Sequence, residues 1–326
     1  MTQLDQEQLH GYDAAREGVA LWRVPEPGWL VIAGDDRDDF VQRQTTNDVR
    51  QLADDRVLLT VLTSATARIL DVWRLVRDGD AIGVITLPGR GAATAHYLQR
   101  RIFFMDKVTV TDASESLAQV DVFGPGAAGA LASLGLADAP EPDRLATFTW
   151  QGETVRALGQ SGALGLGWRL LVPHGAIDSL EARLLEGGAS ALSPGAYEAV
   201  RVEAGFPAAG RELTDAYTPL ETGLHAAIHT AKGCYTGQEV IARQINYDKI
   251  TRQMVGLRLD APVEPGAVVQ VEGRGAGEVT SAVVSPRFGP IALAVLKRPH
   301  FEPGTVVSVV TGDEAVRGEV VPLPFA

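Results

Sequence analysis

Hydrophobic positions fall into short runs separated by glycine, proline and acidic residues. In the first half, the runs at 57–63, 68–76, 81–87 and 107–111 predict strands, and 91–102 predicts a helix before the fourth strand. This β-β-β-α-β order favours α+β layering over a doubly wound sheet. No Gly-x-Gly-x-x-Gly follows a predicted strand, which gives a nucleotide-binding fold little support.

Similar runs begin near the N-terminus and continue after residue 117. Residues 19–22 and 29–34 predict a strand pair around the Pro25-to-Gly28 turn. Further strands are expected at 117–123, 146–150, 154–157 and 167–172, and helices after 124 and at 177–186. Ser193-Pro194 predicts a helix start, because serine caps the first turn and proline suits its first position.

Beyond Met254 the pattern changes to β-rich runs with no helical pattern between them. Proline and glycine turns separate these runs, as expected for a small barrel. The six predicted strands lie at 254–259, 267–271, 277–285, 291–296, 305–310 and 316–321.

The run Lys-Gly-Cys-Tyr-Thr-Gly-Gln-Glu at 232–239 contains the only cysteine of the chain, Cys234. Thr236 and Glu239 have the spacing of a capping box, which predicts a helix from about Gly237 through Arg243. A helix N-terminus stabilises an anion, so a reactive thiolate at Cys234 is one interpretation. The other is a small buried side chain, since free cysteine is often buried.

Length and charge limit the alternatives. The 326 residues suggest two or three domains, and no apolar run is long enough to span a bilayer. The net charge of −12 argues against broad nucleic-acid binding. The N-terminal residues lack the pattern of a secretory signal, and one cysteine permits no internal disulfide, so we expect a cytoplasmic protein.

A metal site and a nucleophilic triad find little support. His225, His229 and Cys234 form only a loose set, whereas structural zinc needs four ligands, so no metal is expected. No Gly-x-Ser-x-Gly run is present either.

The run at 232–239 resembles the signature of the YgfZ-type folate-binding proteins. The YgfZ-type proteins are related to the glycine-cleavage aminomethyltransferases, and they assist iron–sulfur cluster assembly. The resemblance extends from about Gly34 to Pro299 and is strongest from Arg201 to Arg243. It implies an α+β fold with two discontinuous ferredoxin-like domains and a C-terminal β-barrel, arranged as a three-domain ring. The first domain would comprise 1–45 and 118–200, the second 46–117 and 201–250, and the barrel 251–326.

The resemblance also implies site residues. In Arg201-Val-Glu-Ala-Gly205, the carboxylate of Glu203 would accept hydrogen bonds from the amino and ring N–H groups of a pterin, a suitable role for a two-oxygen acceptor. The folate-binding residues expected from the resemblance are Arg201, Glu203, Gly205, Glu221, Tyr235, Gln238 and Arg243. The expected catalytic groups are Cys234, Lys232 and Asp71.

Asp71 falls where the aminomethyltransferases carry a carboxylate that faces the folate's reactive nitrogens. Those enzymes have glycines ahead of it, whereas this chain has Ala67 and Arg68. That departure weakens the case for methylene transfer.

The function implied is a protein that binds tetrahydrofolate or a one-carbon folate and assists assembly, maturation or repair of iron–sulfur enzymes, tRNA-modifying ones among them. Its partners would be the assembly machinery or client enzymes, with no membrane and no direct nucleic acid. Two alternatives stay open: a folate-dependent aminomethyl or one-carbon transferase, and a folate-binding scaffold with an inert cysteine.

Overall fold

The computed structural model describes residues 4–160, 167–312 and 314–326, which form two mixed sheet-and-helix units and a barrel. The helices are α1 (Gln6–Glu17), α2 (Arg37–Gln44), α3 (Gly91–Gln99), α4 (Ala127–Ser133), α5 (Ile177–Glu186), α6 (Pro194–Glu203) and α7 (Gln238–Asn246). None of the helices in these ranges combines the length and the apolar character that a membrane crossing requires.

The first unit is a six-stranded sheet in the order β11-β1-β7-β10-β9-β8. Helices α4 and α5 cover one of its faces, where Leu131, Ile177 and Leu180 are buried. The strands are β1 (Ala20–Arg23), β7 (Leu117–Phe123), β8 (Leu145–Trp150), β9 (Glu153–Gly159), β10 (Trp168–Pro173) and β11 (Ser190–Ala191).

The second unit is a five-stranded sheet in the order β3-β4-β5-β2-β6. Phe40 of α2 and Leu98 of α3 pack with Trp73 of β4 in its core. The strands are β2 (Gly28–Ala33), β3 (Leu58–Thr63), β4 (Ile69–Asp78), β5 (Ala81–Thr86) and β6 (Thr109–Asp112).

The first two predicted strands do not pair with each other. β1 hydrogen-bonds to β7 and β11, whereas β2 hydrogen-bonds to β5 and β6. The predicted hairpin around Pro25 to Gly28 is therefore wrong, because that turn carries the chain from one sheet to the other. The sheets also divide the chain earlier than the expected boundary at residue 45, since β2 and α2 belong to the second unit.

The two sheets pack against each other through their remaining faces. Trp29, Val76 and Ile85 of the second sheet contact Leu158 and Leu171 of the first. This contact brings residues of both sheets close together.

The chain closes with a six-stranded barrel, as predicted. Its strands are β12 (Arg252–Leu259), β13 (Val268–Val271), β14 (Arg274–Ser285), β15 (Gly289–Lys297), β16 (Val306–Thr311) and β17 (Glu314–Val321), in the order β12-β15-β14-β13-β16-β17. Val202 of α6 packs against Ile291, Leu293 and Phe325, so α6 joins the first sheet to the barrel.

Candidate functional site

A cavity of about 190 Å³ lies where the two sheets meet α6. β1 supplies Trp22, β4 supplies Val72 and Arg74, and β10 supplies Arg169. α6 and the chain after it complete the wall with Tyr197, Glu198, Arg201 and residues 206–209. Binding sites often lie at such junctions between structural units.

Two aromatic rings stack in the cavity wall. The centroids of Trp22 and Tyr197 are 4.2 Å apart, and their planes differ by 8°. Burial raises the pKa of Tyr197 to about 12, so its hydroxyl stays protonated at neutral pH. The pair offers a flat apolar surface of the kind that binds a planar ligand.

Three guanidinium groups also face the cavity. Arg169 donates to both carboxylate oxygens of the buried Asp121, each at 2.7 Å. Arg74 donates to Gln160 at 3.0 Å. Burial lowers the pKa of Arg74 to about 10, and the charge of Arg169 acts in the same direction. All three arginines remain cationic at neutral pH, which favours a ligand that carries a carboxylate.

Arg201 connects the cavity to the barrel. Its side chain is buried, donates to Ser281 of β14 at 2.7 Å, and pairs with Glu198 on its own helix. Glu212 lies 3.5 Å from Arg201 and accepts from Ser281 at 2.7 Å. The expected site residue Arg201 therefore has both a cavity-facing and a structural position.

A second cavity, of about 450 Å³, adjoins the first. It shares Leu87, Pro88, Ala209 and Leu213 with the first cavity. Together the two cavities offer room for an elongated small molecule.

Asp71 points away from this site. Its Oδ1 accepts from the backbone N–H groups of Val72 at 2.8 Å and Leu87 at 3.0 Å, and its Oδ2 accepts from Thr94 of α3 at 2.5 Å. Burial raises the pKa of Asp71 to about 6. Because side chains alternate along β4, Val72 faces the cavity where Asp71 does not.

Glu203 is also enclosed by protein groups. Tyr12 of α1 donates to its two oxygens at 2.8 and 3.1 Å, Ser285 of β14 donates at 2.5 Å, and Arg16 pairs with it. Glu203 is not among the residues that line the cavity beside Tyr197. In this arrangement it ties α1 and the barrel to α6.

Two other expected folate-binding residues have clear structural positions. Glu221 closes a capping box with Thr218 and accepts from Arg252 at 2.9 and 3.0 Å. Gly205 follows α6 with φ of +72°, and a Cβ atom there would lie 2.9 Å from Leu323. Both residues lie outside the wall of the cavity.

Lys232 is buried at the C-terminal end of α2. Its ammonium group donates to the carbonyl oxygens of Gln42 at 2.9 Å and of Thr45 and Asn47 at 2.6 Å each. Burial lowers the pKa of Lys232 to about 8, although three carbonyl acceptors favour the charged form. The amine thus attaches residues 232–237, the signature loop, to the end of α2 and the residues that follow it.

The remaining expected site residues lie at or near the surface. Cys234 is exposed, which excludes the buried interpretation. Tyr235 is half-buried, and the nitrogen of Lys232 lies 5.0 Å from its ring centre. Gln238 begins α7, and Arg243 is exposed in its last turn.

The capping box predicted at Thr236 is wrong. The residue that precedes α7 is Gly237, with φ of +85° and no side-chain cap. The backbone of Thr236 makes other hydrogen bonds: its N–H donates to the carbonyl oxygen of Arg43 at 3.3 Å, and its carbonyl accepts from the hydroxyl of Thr63 at 2.6 Å. These contacts attach the signature loop to α2 and β3.

The expected residues therefore do not form one site. Arg201 lines the cavity, Cys234 lies on a surface loop, and others, such as Asp71 and Glu203, are bonded to neighbouring protein groups. Sequence reasoning missed Trp22, Arg74, Arg169 and Tyr197, which no motif connects. Within the ranges that the structure describes, no three His, Cys, Asp or Glu side chains group closely enough to hold a metal ion.

Two family models match the chain. One, described as the GCVT N-terminal domain, matches residues 3–232, and the other, described as the glycine cleavage T-protein C-terminal barrel domain, matches residues 252–326. An Arabidopsis thaliana protein, named as a chloroplastic transferase, is 31% identical over 98% of this chain and 74% of its own length. An aminomethyltransferase of Rubrobacter xylanophilus is 30% identical over 96% of this chain and 85% of its own length.

A solved structure has the same fold. The glycine cleavage system aminomethyltransferase T of Bartonella henselae superimposes with a TM-score of 0.86 over 98% of this chain and 89% of that one, at 22% identity. This likeness confirms the expected aminomethyltransferase-like, three-domain architecture.

Proposed function

The chain belongs to the glycine-cleavage T-protein family, whose members use tetrahydrofolate, and from this premise we propose a tetrahydrofolate-binding accessory protein that serves iron–sulfur enzymes through Cys234. The observation that carries the proposal is the exposed position of Cys234 in a loop that Lys232 attaches to α2. An exposed thiol on a fixed loop is accessible to another protein.

The cavity beside α6 suits a folate. The stacked rings of Trp22 and Tyr197 offer an apolar face to the flat parts of the molecule. The guanidinium groups of Arg74, Arg169 and Arg201 suit its glutamate carboxylates. The proposal therefore places the ligand along α6.

Glu203 stays in the proposal as the pterin acceptor that the resemblance implies. Its oxygens now accept from Tyr12 and Ser285, so a pterin would have to replace these donors. The two parts of the site can be separated by mutation, because Tyr197 and Glu203 lie on different faces of α6.

Calorimetric titration with tetrahydrofolate tests the binding site. We expect Tyr197→Ala to weaken binding about tenfold or more, because it removes half of the stacked pair. Glu203→Gln should weaken binding if the carboxylate holds the pterin. Leu185→Ala, on the exposed side of α5, is the matched control. Unchanged affinity in Glu203→Gln would remove that residue from the site, and failure of the wild-type protein to bind would end the folate proposal.

A one-carbon transferase is the second candidate, favoured by the aminomethyltransferases that match nearly the whole chain. The contacts of Asp71 count against it, because that carboxylate accepts from Thr94 on the far side of β4 and Val72 faces the cavity. Folate-dependent turnover that requires Asp71 would support the transferase. A scaffold with an inert cysteine predicts neither turnover nor an effect of Cys234→Ser.

The proposed partners are the iron–sulfur assembly machinery or client iron–sulfur enzymes, including tRNA-modifying ones. The single cysteine suits a reducing compartment, so we propose the cytoplasm. Direct nucleic-acid binding is not part of the proposal, because the net charge is −12.

A further inference from the structure

Three consecutive apolar side chains project from the surface after α3. Phe103, Phe104 and Met105 are 66%, 97% and 71% exposed. They belong to one loop, residues 103–106, which we name the docking loop. Contiguous exposed apolar surface of this kind marks interaction sites.

The docking loop is held in place. Asp106 accepts from the backbone N–H of Phe103 at 3.0 Å, and both of its oxygens accept from Arg43 of α2 at 3.0 Å. The carbonyl of Arg43 accepts in turn from the N–H of Thr236 at 3.3 Å. One continuous set of hydrogen bonds therefore connects the docking loop to the signature loop, which presents Cys234.

The composition of this surface favours a protein as the occupant. Aromatic residues, methionine and arginine are enriched at protein interfaces, and the docking loop presents two phenylalanines and a methionine beside the Asp106–Arg43 pair. A nucleic acid or an anionic membrane is disfavoured, because Asp35 pairs with the ammonium group of Lys107, Asp106 pairs with Arg43, and the chain carries a net charge of −12.

The area of the surface argues against a permanent dimer of this chain. Three largely exposed side chains of this size present on the order of 400 Å². A stable interface needs about 800 Å² from each partner. The docking loop is therefore suited to a small, transient contact with a different protein.

We propose that the docking loop binds an apolar pocket on a client protein and thereby holds that protein against Cys234. This inference rests on the proposed function, because it names the surface through which the accessory protein meets its client. Phe104, almost fully exposed and without packing of its own, is the central contact.

A photo-crosslinker attached to Cys234 tests the proposal. Because the chain has one cysteine, benzophenone maleimide labels the full-length protein at that position alone. The labelled protein is irradiated in extract of the host cell, and the crosslinked products are identified by mass spectrometry. Phe104→Asp should lower the yield of discrete products about tenfold or more, because it puts a charge into an apolar pocket.

Leu185→Asp is the matched control, since Leu185 is another exposed large apolar residue but lies on α5. Leu185→Asp should leave the yield of crosslinked products unchanged. Excess unlabelled wild-type protein should compete for the client and lower that yield, whereas unlabelled Phe104→Asp should not. Equal yields from Phe104→Asp and the wild type, or no discrete product from the wild type, would overturn the proposal. Products that depend on Phe104 but include no iron–sulfur or assembly protein would leave the docking loop standing and refute the proposed function.

Discussion

Lys232 holds the signature loop through three buried hydrogen bonds to the carbonyls of Gln42, Thr45 and Asn47. Lys232→Met keeps most of the apolar stem but removes every donor. We expect the free energy of unfolding to fall by about 2–4 kcal/mol, because buried carbonyls lose their partner. Urea denaturation measures the loss.

Lys297→Met, at an exposed position of β15, is the control for this change and should stay within about 0.5 kcal/mol of the wild type. Equal stability of the two variants would show that the ammonium group contributes little to holding the loop.

Asp71 should make stability depend on pH. Its pKa is raised from 3.8 to about 6 in the folded state, so the fold binds a proton more tightly than the unfolded chain does. The stability that this proton contributes is fully present below about pH 4 and is lost as the pH rises through 6. A shift of that size corresponds to roughly 3 kcal/mol.

Asp71→Asn removes the titration but retains an oxygen for the N–H groups of Val72 and Leu87. We therefore expect the variant to gain stability relative to the wild type between pH 4.5 and pH 7.5, as measured by urea denaturation at both values. A difference between the two proteins that stays constant with pH would contradict the burial argument.

Candidate site residues could be predicted from the sequence only where a recognisable motif contains them. The run at 232–239 and the Arg201 segment identified residues that the structure places on a surface loop and beside a cavity. Their partners could not be predicted, because Lys232 bonds to carbonyls about 190 positions earlier in the chain. No local pattern records such a contact.

At the scale of elements, the start of α7 depends on a glycine. Gly237 has φ of +85°, and a Cβ atom there would lie 2.7 Å from the carbonyl oxygen of Ser64. Gly237→Ala should cost about 1–3 kcal/mol in thermal or urea unfolding, since both the backbone conformation and the close contact oppose a side chain.

Gly233, in the same signature loop, supplies the control, because a Cβ atom there meets nothing within 4 Å. Gly233→Ala should leave stability nearly unchanged. If both alanine variants unfold alike, the close approach of Gly237 to Ser64 is not what requires the glycine.

Strand positions followed well from the alternation of apolar residues, but pairing did not. The runs at β1 and β2 were correctly placed as strands, and the short turn between them suggested a hairpin. Each strand instead pairs with partners far along the chain, β1 with β7 and β2 with β5. Register between distant strands is set by packing of the whole core, which short-range patterns do not contain.

At the scale of the molecule, the cavity forms only when both sheets meet α6. Trp22 and Tyr197 stack although 175 positions separate them, and Arg74 and Arg169 come from different sheets. The barrel was easier to predict, because its six strands follow one another in the sequence without an intervening helix and all of their pairings are antiparallel. The cavity residues come from distant segments of the chain, so no single stretch of sequence could identify them as a group.

The activity of iron–sulfur enzymes in a strain that lacks the native gene tests most directly whether this protein serves those enzymes through Cys234. The strain is supplied with the wild-type chain or with Cys234→Ser. Because Cys234 is exposed, the serine variant should fold and bind tetrahydrofolate as the wild type does. We predict that the wild type restores the enzyme activities and that Cys234→Ser does not. Full restoration by Cys234→Ser would show that the thiol is not required and would refute the proposed role of Cys234.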